Sequence, residues 1–315
     1  MSRNQVKSFA PASIGNVGPG FDVFGLALKG LGDHVVMTRT SEPGVKILGI
    51  EGDLGRLPLE ADKNTAGLAA RNVLNLCKQK GDTFGVELIL KKGLPINSGL
   101  GSSGASAAAA AKAVSKLTEV ELLDEELLAA CVEAEAGVAG YHADNVAPSL
   151  LGGFIIVESY EPLTTLRLVP PVDIPIGIIK PDIEVATREA RDLVPELITI
   201  NSMIHNLARS TSMVAHLLQG DVKSFGKAIR DIIVEPARAS LVPGFFEAKQ
   251  HLLDAGALGC SLSGSGPSLF YVASDRDSLN SMAAVAINAF NEQNIKADFI
   301  STGIDINGSI EVINE

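Results

Sequence analysis

The sequence predicts an α+β protein of two domains, and three observations support this prediction. Strand-like segments appear on both sides of residue 160 and alternate with stretches in which apolar residues recur at helical spacing. Prolines at 162, 170, 171 and 175 interrupt the chain in a sparsely patterned stretch. The chain has 315 residues, of which 46% are hydrophobic, and this is enough for two cores. We therefore expect domains over residues 1–160 and 161–315.

The first domain is predicted to combine a sheet with three helices. Strand patterns occur at residues 34–38, 45–50, 86–90 and 154–157. Helical patterns occur at residues 64–80, 102–117 and 124–137. The first of these ends before Gly81, a common helix stop, and the second starts at serines and continues through alanines, the best helix formers.

The second domain is predicted from two apolar stripes and three further strands. Residues 203, 204, 207, 214, 217 and 218 form one stripe, and residues 222, 225, 229, 232 and 233 form the other. Strand patterns occur at residues 176–179, 269–272 and 298–300. Helices alternating with strands indicate an α+β domain.

Charge and cysteine content exclude several classes of protein. The net charge of −11 argues against nucleic acid or an anionic membrane as the main partner. Cys77, Cys131 and Cys260 are widely spaced and lack the spacing of a metal site, so we expect buried thiols. The first residues lack the apolar stretch of a signal peptide, and no apolar run is long enough to span a membrane. We therefore expect a cytoplasmic protein.

A glycine-rich segment at residues 95–103 (PINSGLGSS) is the most informative part of the sequence. It joins a predicted strand to an alanine-rich segment that strongly favours a helix. Backbone amides at a helix start have no intrahelical partners, and the helix dipole adds roughly half a positive charge there. Such a loop can bind a phosphate without Lys or Arg. The alternative is a glycine turn with serine caps and no ligand.

Two other nucleotide-binding patterns fit this segment poorly. Gly99, Gly101 and Gly104 satisfy the dinucleotide pattern, but the acids about 20 residues later lie in a helical stretch rather than at a strand end. The lysine of the Walker pattern and the motifs of protein kinases are missing from the sequence. Both classes are therefore disfavoured.

Residues 95–103 match the Pro-x-x-x-Gly-Leu-Gly-Ser-Ser pattern of the GHMP kinases. Two further segments also resemble that family, in the family's order: residues 10–28 (APASIGNVGPGFDVFGLAL) and 259–268 (GCSLSGSGPS). The resemblance thus covers almost the whole chain. It implies an ATP-dependent small-molecule kinase. The implied fold has an N-terminal domain like the second domain of ribosomal protein S5 and a ferredoxin-like C-terminal domain, with the active site between them.

Residues 10–28 and 141–153 (YHADNVAPSLLGG) resemble the branch of this family that phosphorylates L-homoserine in threonine biosynthesis. An amino-acid substrate needs a cation for its carboxylate, an anion for its ammonium and a polar group beside the reacting hydroxyl. The resemblance implies that two arginines clamp the carboxylate, as bidentate guanidinium groups can. The implied substrate-binding residues are Asn16, Asp22, His142, Asn145, Thr187, Arg188, Arg238 and Gly264.

Each of these residues also has an ordinary structural explanation. Helix arginines commonly face solvent, and a lone histidine is commonly a hydrogen-bonded structural residue. Asp22 follows Gly20 and Phe21, where an aspartate often serves a turn. The five histidines show no metal-site spacing.

The resemblance also implies an ATP and Mg²⁺ site. The implied ATP contacts are Asn64, Lys92, Pro95, Ile96, Asn97, Ser98, Gly99, Leu100, Gly101, Ser102, Ser103, Gly104 and Ala105. Ser103 and Glu135 are the implied Mg²⁺ ligands. Glu133 stays an alternative to Glu135, because the two differ by about 200° on a helix and only one can face the loop. Asn64 could equally be a helix N-cap.

The expected catalysis is alignment and charge neutralisation, with Asn145, Asp22 and Glu135 as the implied catalytic residues. Mevalonate-type relatives use an aspartate base, and Asp144 and Asn145 both lie near its aligned position. The L-homoserine branch implies instead that no base operates and that Asn145 orients the hydroxyl.

Two other functions remain as alternatives. One is another GHMP kinase, acting on mevalonate, shikimate or a sugar, and the other is a non-catalytic metabolite-binding regulator of this fold. A homodimer is expected from the family alone.

Overall fold

Two β-sheets organise the chain in a computed structural model, which describes residues 4–138 and 140–313. The strands are β1 (Gln5–Gly15), β2 (Phe24–Thr40), β3 (Gly44–Glu51), β4 (Gly85–Lys91), β5 (Phe154–Tyr160), β6 (Leu163–Leu168), β7 (Ile176–Pro181), β8 (Gly259–Leu262), β9 (Leu269–Val272), β10 (Ala297–Thr302) and β11 (Ile310–Glu311). The helices are α1 (Thr65–Gln79), α2 (Ser102–Leu117), α3 (Asp124–Ala136), α4 (Ala143–Leu151), α5 (Thr187–Asp192), α6 (Ile200–Gln219), α7 (Val222–Ala228), α8 (Val234–Ala239), α9 (Phe245–Asp254) and α10 (Ser278–Glu292).

The first sheet has seven strands and is built around the long strand β2. Its main path runs β11-β1-β2-β4-β3, with β5 paired to β2 and β6 paired to β5. Strands β3 and β4 are parallel, whereas the other pairs are antiparallel. Helix α2 packs against the sheet and against α1, α3 and α4. The run of five alanines at residues 107–111 is fully buried, because small side chains let these neighbours approach closely.

The second sheet has four antiparallel strands in the order β10-β7-β9-β8. Counted within this half of the chain, the order is 4-1-3-2, which is the ferredoxin-like arrangement. Helices α9 and α10 pack on this sheet and bury an apolar core that includes Phe245, Phe290 and Tyr271. The predicted α+β fold is confirmed.

The first sheet draws strands from both sides of residue 160. Strand β6 begins after that residue and pairs with β5, and β11 near the C-terminus pairs with β1. The division of the chain into domains over 1–160 and 161–315 stays a prediction. Within the described ranges, no helix combines the length and apolar character needed to cross a bilayer.

The predicted helical stripe at residues 222–233 is wrong in its second half, because helix α7 ends at Ala228. The carboxylate of Asp231 accepts hydrogen bonds from the backbone N–H groups of residues 233–235 at 2.7–3.2 Å. These bonds start the separate helix α8, which carries Arg238. A buried carboxylate at a helix start competes with continuation of the preceding helix.

Candidate active site

A cleft between the two sheets is the site at which the three glycine-rich segments meet. The Asn16 side-chain amide donates to the Gly264 carbonyl at 3.0 Å, and the Ser263 hydroxyl donates to the Gly99 carbonyl at 2.6 Å. The Gly264 N–H donates to the Gly15 carbonyl at 3.2 Å. Residues distant in the sequence therefore form one wall.

The loop before α2 has the geometry of an anion-binding helix start. Gly101 is the N-cap in the left-handed region, and the first intrahelical bond joins the Ala105 N–H to its carbonyl at 2.9 Å. The N–H groups of residues 102–104 precede that bond, so they have no intrahelical acceptor. A Cβ on Gly101 would lie 2.0 Å from the Ser13 hydroxyl oxygen, and one on Gly99 would lie 2.4 Å from the Ser263 carbonyl oxygen. Glycine is therefore required at both positions.

Most, but not all, of the predicted loop residues line the cleft. Those in its wall are Ile96, Asn97, Ser98, Gly99, Gly101, Ser102 and Ser103. Leu100 and Ala105 are instead buried in an apolar core, because their side chains point to the interior face of the loop and helix. Gly104 is buried against the backbone of α4, and Pro95 is exposed with its carbonyl accepting from Ser98. The side chains of Pro95, Leu100 and Ala105 are thus not in a position to contact the cleft.

Lys92 reaches the cleft wall, but its ammonium group is already engaged. It pairs with Asp33 and donates to the Ser102 carbonyl at 3.0 Å and the Ser106 hydroxyl at 2.8 Å. Its side chain is only 2% exposed. These three acceptors match the three protons of an ammonium, so a phosphate contact by Lys92 is not supported.

Asn64 also lines the cleft and is the N-cap of α1. Its side-chain oxygen accepts from the Ala66 N–H at 3.0 Å, and its amide donates to the Pro58 carbonyl at 3.1 Å. The capping alternative is therefore present in the structure. Nearby, Lys63 lines the same end of the cleft with an exposed ammonium group.

Ser103 and Glu135 form a polar pair beside the loop. The serine hydroxyl donates to Oε1 of Glu135 at 2.5 Å, and Oε2 of Glu135 is buried without a hydrogen-bond partner. Burial raises the pKa of Glu135 to about 7, although the Ser103 hydrogen bond and the charge of Lys92 oppose that shift. Glu133 is exposed on the same helix. Of the two predicted alternatives, Glu135 is the one that faces the loop, and its orphaned oxygen suits a hard cation.

Asn16 and Asp22 form the opposite end of the cleft. Both have positive φ angles, 67° and 57°, and the Asn16 side-chain oxygen accepts from the Asp22 N–H at 3.1 Å. The carboxylate of Asp22 lies 3.9 Å from Nδ1 of His142. Burial lowers the pKa of His142, and the neighbouring Asp22 opposes that shift. The predicted Asn16, Asp22 and His142 are therefore brought together.

Asp144 and Asn145 lie at the start of α4, between this end of the cleft and the loop. Oδ2 of Asp144 accepts from the Asn16 N–H at 3.1 Å, and Oδ1 of Asn145 accepts from the Ser13 hydroxyl at 3.3 Å. Asp144 is only 2% exposed, and burial, followed by the charge of Asp22, raises its pKa to about 7. The chain thus holds a carboxyl and an amide side by side in the cleft wall.

Two arginines face the cleft, but Arg188 is not one of them. Arg191 contacts Asp22 at 2.6 Å, and Arg238 is 4% exposed. The guanidinium carbons of Arg191 and Arg238 lie 4.9 and 5.0 Å from the centroid of the Phe21 ring. Arg188 is exposed and outside the cleft wall, so its predicted position in the site is wrong, and Arg191 lies there instead.

Helix geometry explains this correction. The predicted Thr187 lines the cleft at the first position of α5, and Arg191 lies four residues later. Positions four residues apart differ by about 40° around a helix, whereas Arg188 is about 100° from Thr187. Arg238, on α8, also donates to the carbonyl of Gly264 at 3.3 Å, so these two predicted residues are neighbours.

Several residues of the site were not predicted from the sequence. Arg191 lies three residues after the predicted Arg188, and its helical phase relative to Thr187 was the available signal; the sequence indicated Asp144 only as a possible base. Asp33 is a charged residue inside an apolar strand pattern, and it is fully buried. Such a residue in a strand indicates a buried polar network.

Comparison with known proteins identifies two matching family models. The model described as "GHMP kinases N terminal domain" matches residues 66–153, and the one described as "GHMP kinases C terminal" matches residues 213–292. Together they cover more than half of the chain.

Individual relatives are similar over nearly the whole length. A homoserine kinase of Chlorobaculum tepidum is 41% identical over 293 residues, which are 90% of each chain. A homoserine kinase of Arabidopsis thaliana is also 41% identical over 293 residues, covering 90% of this chain and 78% of its own. The crystal structure of a homoserine kinase from Cytophaga hutchinsonii has a TM-score of 0.93 at 38% identity, covering 99% of this chain and 98% of the other.

Proposed function

The chain belongs to the GHMP kinase family, and from this premise we propose that it phosphorylates L-homoserine with ATP. The product is O-phospho-L-homoserine, and the pathway is threonine biosynthesis. The relatives named homoserine kinase, at about 40% identity over most of the chain, support this proposal. The observation that carries it is a cleft with two guanidinium groups and three carboxyl groups beside a phosphate-binding helix start.

The charges of the cleft suit a zwitterion. Arg191 and Arg238 bind the substrate carboxylate, and Asp22 with the Asn16 side chain binds its ammonium. In the absence of substrate, Arg191 and Asp22 neutralise each other at 2.6 Å. A bound amino acid replaces that ion pair with two others, so no charge is left buried and unpaired. A neutral sugar offers no such exchange, which disfavours galactose-type substrates.

The reaction joins the side-chain oxygen of homoserine to the γ-phosphorus of ATP and breaks the bond to the bridging β–γ oxygen. Asn145 and Asp144 orient the hydroxyl toward the loop, and its proton passes late to the transferred phosphoryl group. Positioning of this kind can supply about 7–11 kcal/mol of the barrier reduction. The backbone N–H groups of residues 99–103 hold the phosphates.

Mg²⁺ fits the pair Ser103 and Glu135. A hydroxyl and a buried carboxylate with an orphaned oxygen are hard oxygen donors, as Mg²⁺ prefers. When bound, the ion neutralises phosphate charge. We propose these two residues as its protein ligands.

Three further expectations are proposals of the same kind. A homodimer is expected, and light scattering after size-exclusion chromatography measures it. We also propose the domain division at residue 160 and a reducing cytoplasm as the compartment. The three cysteines are free and buried, as expected of such a compartment.

A coupled assay that follows ADP release tests the function. Purified protein with MgATP is given L-homoserine, mevalonate, shikimate or galactose in parallel. We expect turnover with L-homoserine to exceed that with each other acceptor by at least about 100-fold, because only an amino acid completes both ion pairs. If another acceptor is turned over at a comparable rate, L-homoserine is not the specific substrate and the proposal is wrong. Nucleotide binding without turnover of any acceptor would favour a regulator.

A further inference from the structure

Asp33 on β2 binds both ends of the phosphate loop although it does not line the cleft. Its Oδ1 accepts from the N–H groups of Gly93 and Leu94 at 3.0 and 3.2 Å, where the chain enters the loop. Its Oδ2 accepts from the Ser106 hydroxyl at 2.7 Å, in the first turns of α2. The residue is fully buried. One carboxylate therefore fixes the entrance of the loop to its exit.

Lys92, the residue that follows β4, completes this arrangement. Besides pairing with Asp33, its ammonium donates to the Ser102 carbonyl and the Ser106 hydroxyl at 3.0 and 2.8 Å. These acceptors belong to the first turns of α2, whose N–H groups face the cleft. A shift of Lys92 would therefore move the donors that hold phosphate.

The energetics favour a positional role over a stabilising one. Burying two opposite charges is unfavourable, and an apolar pair of the same volume would often give a fold that is at least as stable. A second ion pair fastens the other end of α2: Arg39 contacts Asp82 at 2.6 Å and donates to the Leu117 carbonyl at 2.8 Å. That pair is more exposed and lies at the end of the helix far from the loop.

We propose that Asp33 is a positioning residue for nucleotide binding, acting through Lys92 and Ser106 on the backbone of the phosphate loop. This inference rests on the proposed function only in that the loop binds the phosphates of a nucleotide. It assigns Lys92 to the support of the loop rather than to direct contact with phosphate.

Titration of MgADP into the purified protein by calorimetry, without homoserine, tests this proposal. For Asp33→Asn we expect the dissociation constant of MgADP to rise at least tenfold, because the loop donors lose their alignment. A direct contact between Lys92 and phosphate predicts the opposite sign: removing the anion beside Lys92 would leave MgADP binding unchanged or tighter. The matched control is Asp82→Asn, for which we expect less than a twofold change.

A second measurement separates positioning from general destabilisation. In steady-state assays Asp33→Asn should raise the KM for MgATP at least tenfold and leave the KM for L-homoserine within twofold. Equal rises in both constants, or wild-type affinity for MgADP, would overturn the proposal. If Asp33→Asn does not fold, Ser106→Ala takes its place. For Ser106→Ala we expect the MgADP dissociation constant to rise at least threefold, and wild-type affinity would contradict the proposal. Because MgADP binding needs no acceptor, failure of the proposed substrate leaves this result interpretable.

Discussion

The two ends of the cleft are built in different ways. At the proposed phosphate end, one continuous segment at residues 95–103 leads into the start of α2, where the first backbone N–H groups lack intrahelical partners, and the buried ammonium of Lys92 is paired with Asp33. At the substrate end, side chains from four separate segments bring charges together: residues 16–22, 142–145, 187–191 and 238. We therefore expect affinity for phosphate to depend on local chain geometry, and selectivity for the acceptor to depend on the tertiary structure.

The largest effect is expected at the phosphate end, from Glu135→Gln. Loss of the anionic oxygen beside Ser103 should lower kcat by about 10²–10³-fold, a typical cost for one electrostatic contact in a transition state. The same variant should be more stable at pH 8 by on the order of 1 kcal/mol, since it removes a buried, incompletely paired charge. Turnover and thermal unfolding measure the two effects. A variant that loses stability and keeps its activity would remove Glu135 from the metal site.

A smaller and more selective effect is expected at the substrate end, from Arg191→Ala. The Arg191 side chain is 43% exposed, so its truncation should cost less than that of a buried charge: about 1.5–3 kcal/mol for a hydrogen bond to a charged group, which corresponds to a rise in the KM for L-homoserine of roughly tenfold or more. The KM for MgATP should change by less than about twofold. The matched variant is Arg188→Ala on the same helix, for which we expect wild-type constants. If Arg188→Ala has the larger effect, the assignment of the clamp is reversed.

This pair of variants also marks the limit of prediction from the sequence. The phosphate loop and the predicted helices α1, α2 and α3 follow from local patterns and lie at the predicted places, whereas the stripe at residues 222–233 was predicted as one helix and divides after Ala228. The position of Arg191 depends on the phase of a six-residue helix, α5, whose N-cap makes no side-chain hydrogen bond. Short helices of this kind leave little periodic signal, so the neighbouring Arg188 was an equally good candidate. Asp33 belongs to no recognisable sequence motif, so its role in the loop could be inferred only from the hydrogen bonds in the structure.

The smallest effect is expected from pH, through Asp144. Burial raises the pKa of this carboxyl to about 7, so it is largely protonated at pH 6 and ionised at pH 8. An ammonium group bound at Asp22, whose carboxylate lies within 4.8 Å of that of Asp144, favours the ionised form of Asp144. The affinity for L-homoserine should therefore rise between pH 6 and 8, by at most tenfold per pH unit below 7. In Asp144→Asn the component of this dependence due to Asp144 should disappear. If Asp144→Asn has the same pH profile as the wild type, the titration belongs to another group, of which His142 is the nearest candidate.

The buried carboxyl groups of Asp144 and Glu135 should make folding stability fall as the pH rises, whereas the affinity for L-homoserine rises. The pKa values of Asp144 and Glu135 are raised by burial to about 7, so between about pH 4 and 7 the folded state binds more protons than the unfolded chain. Their contribution to stability is complete below pH 4 and is lost as the pH rises through 7. Above pH 7 the two carboxylates are ionised and destabilise the ligand-free fold, and this ionised form is the one that the substrate ammonium and the metal ion should bind. A site for charged ligands is expected to behave in this way.

A crystal structure with Mg²⁺, a non-hydrolysable ATP analogue and L-homoserine tests the central claim most directly. We predict that the polyphosphate lies against the backbone N–H groups of residues 99–103 and that the amino-acid carboxylate lies between Arg191 and Arg238. A triphosphate bound away from this loop, or a substrate carboxylate outside the reach of both arginines, would contradict the account.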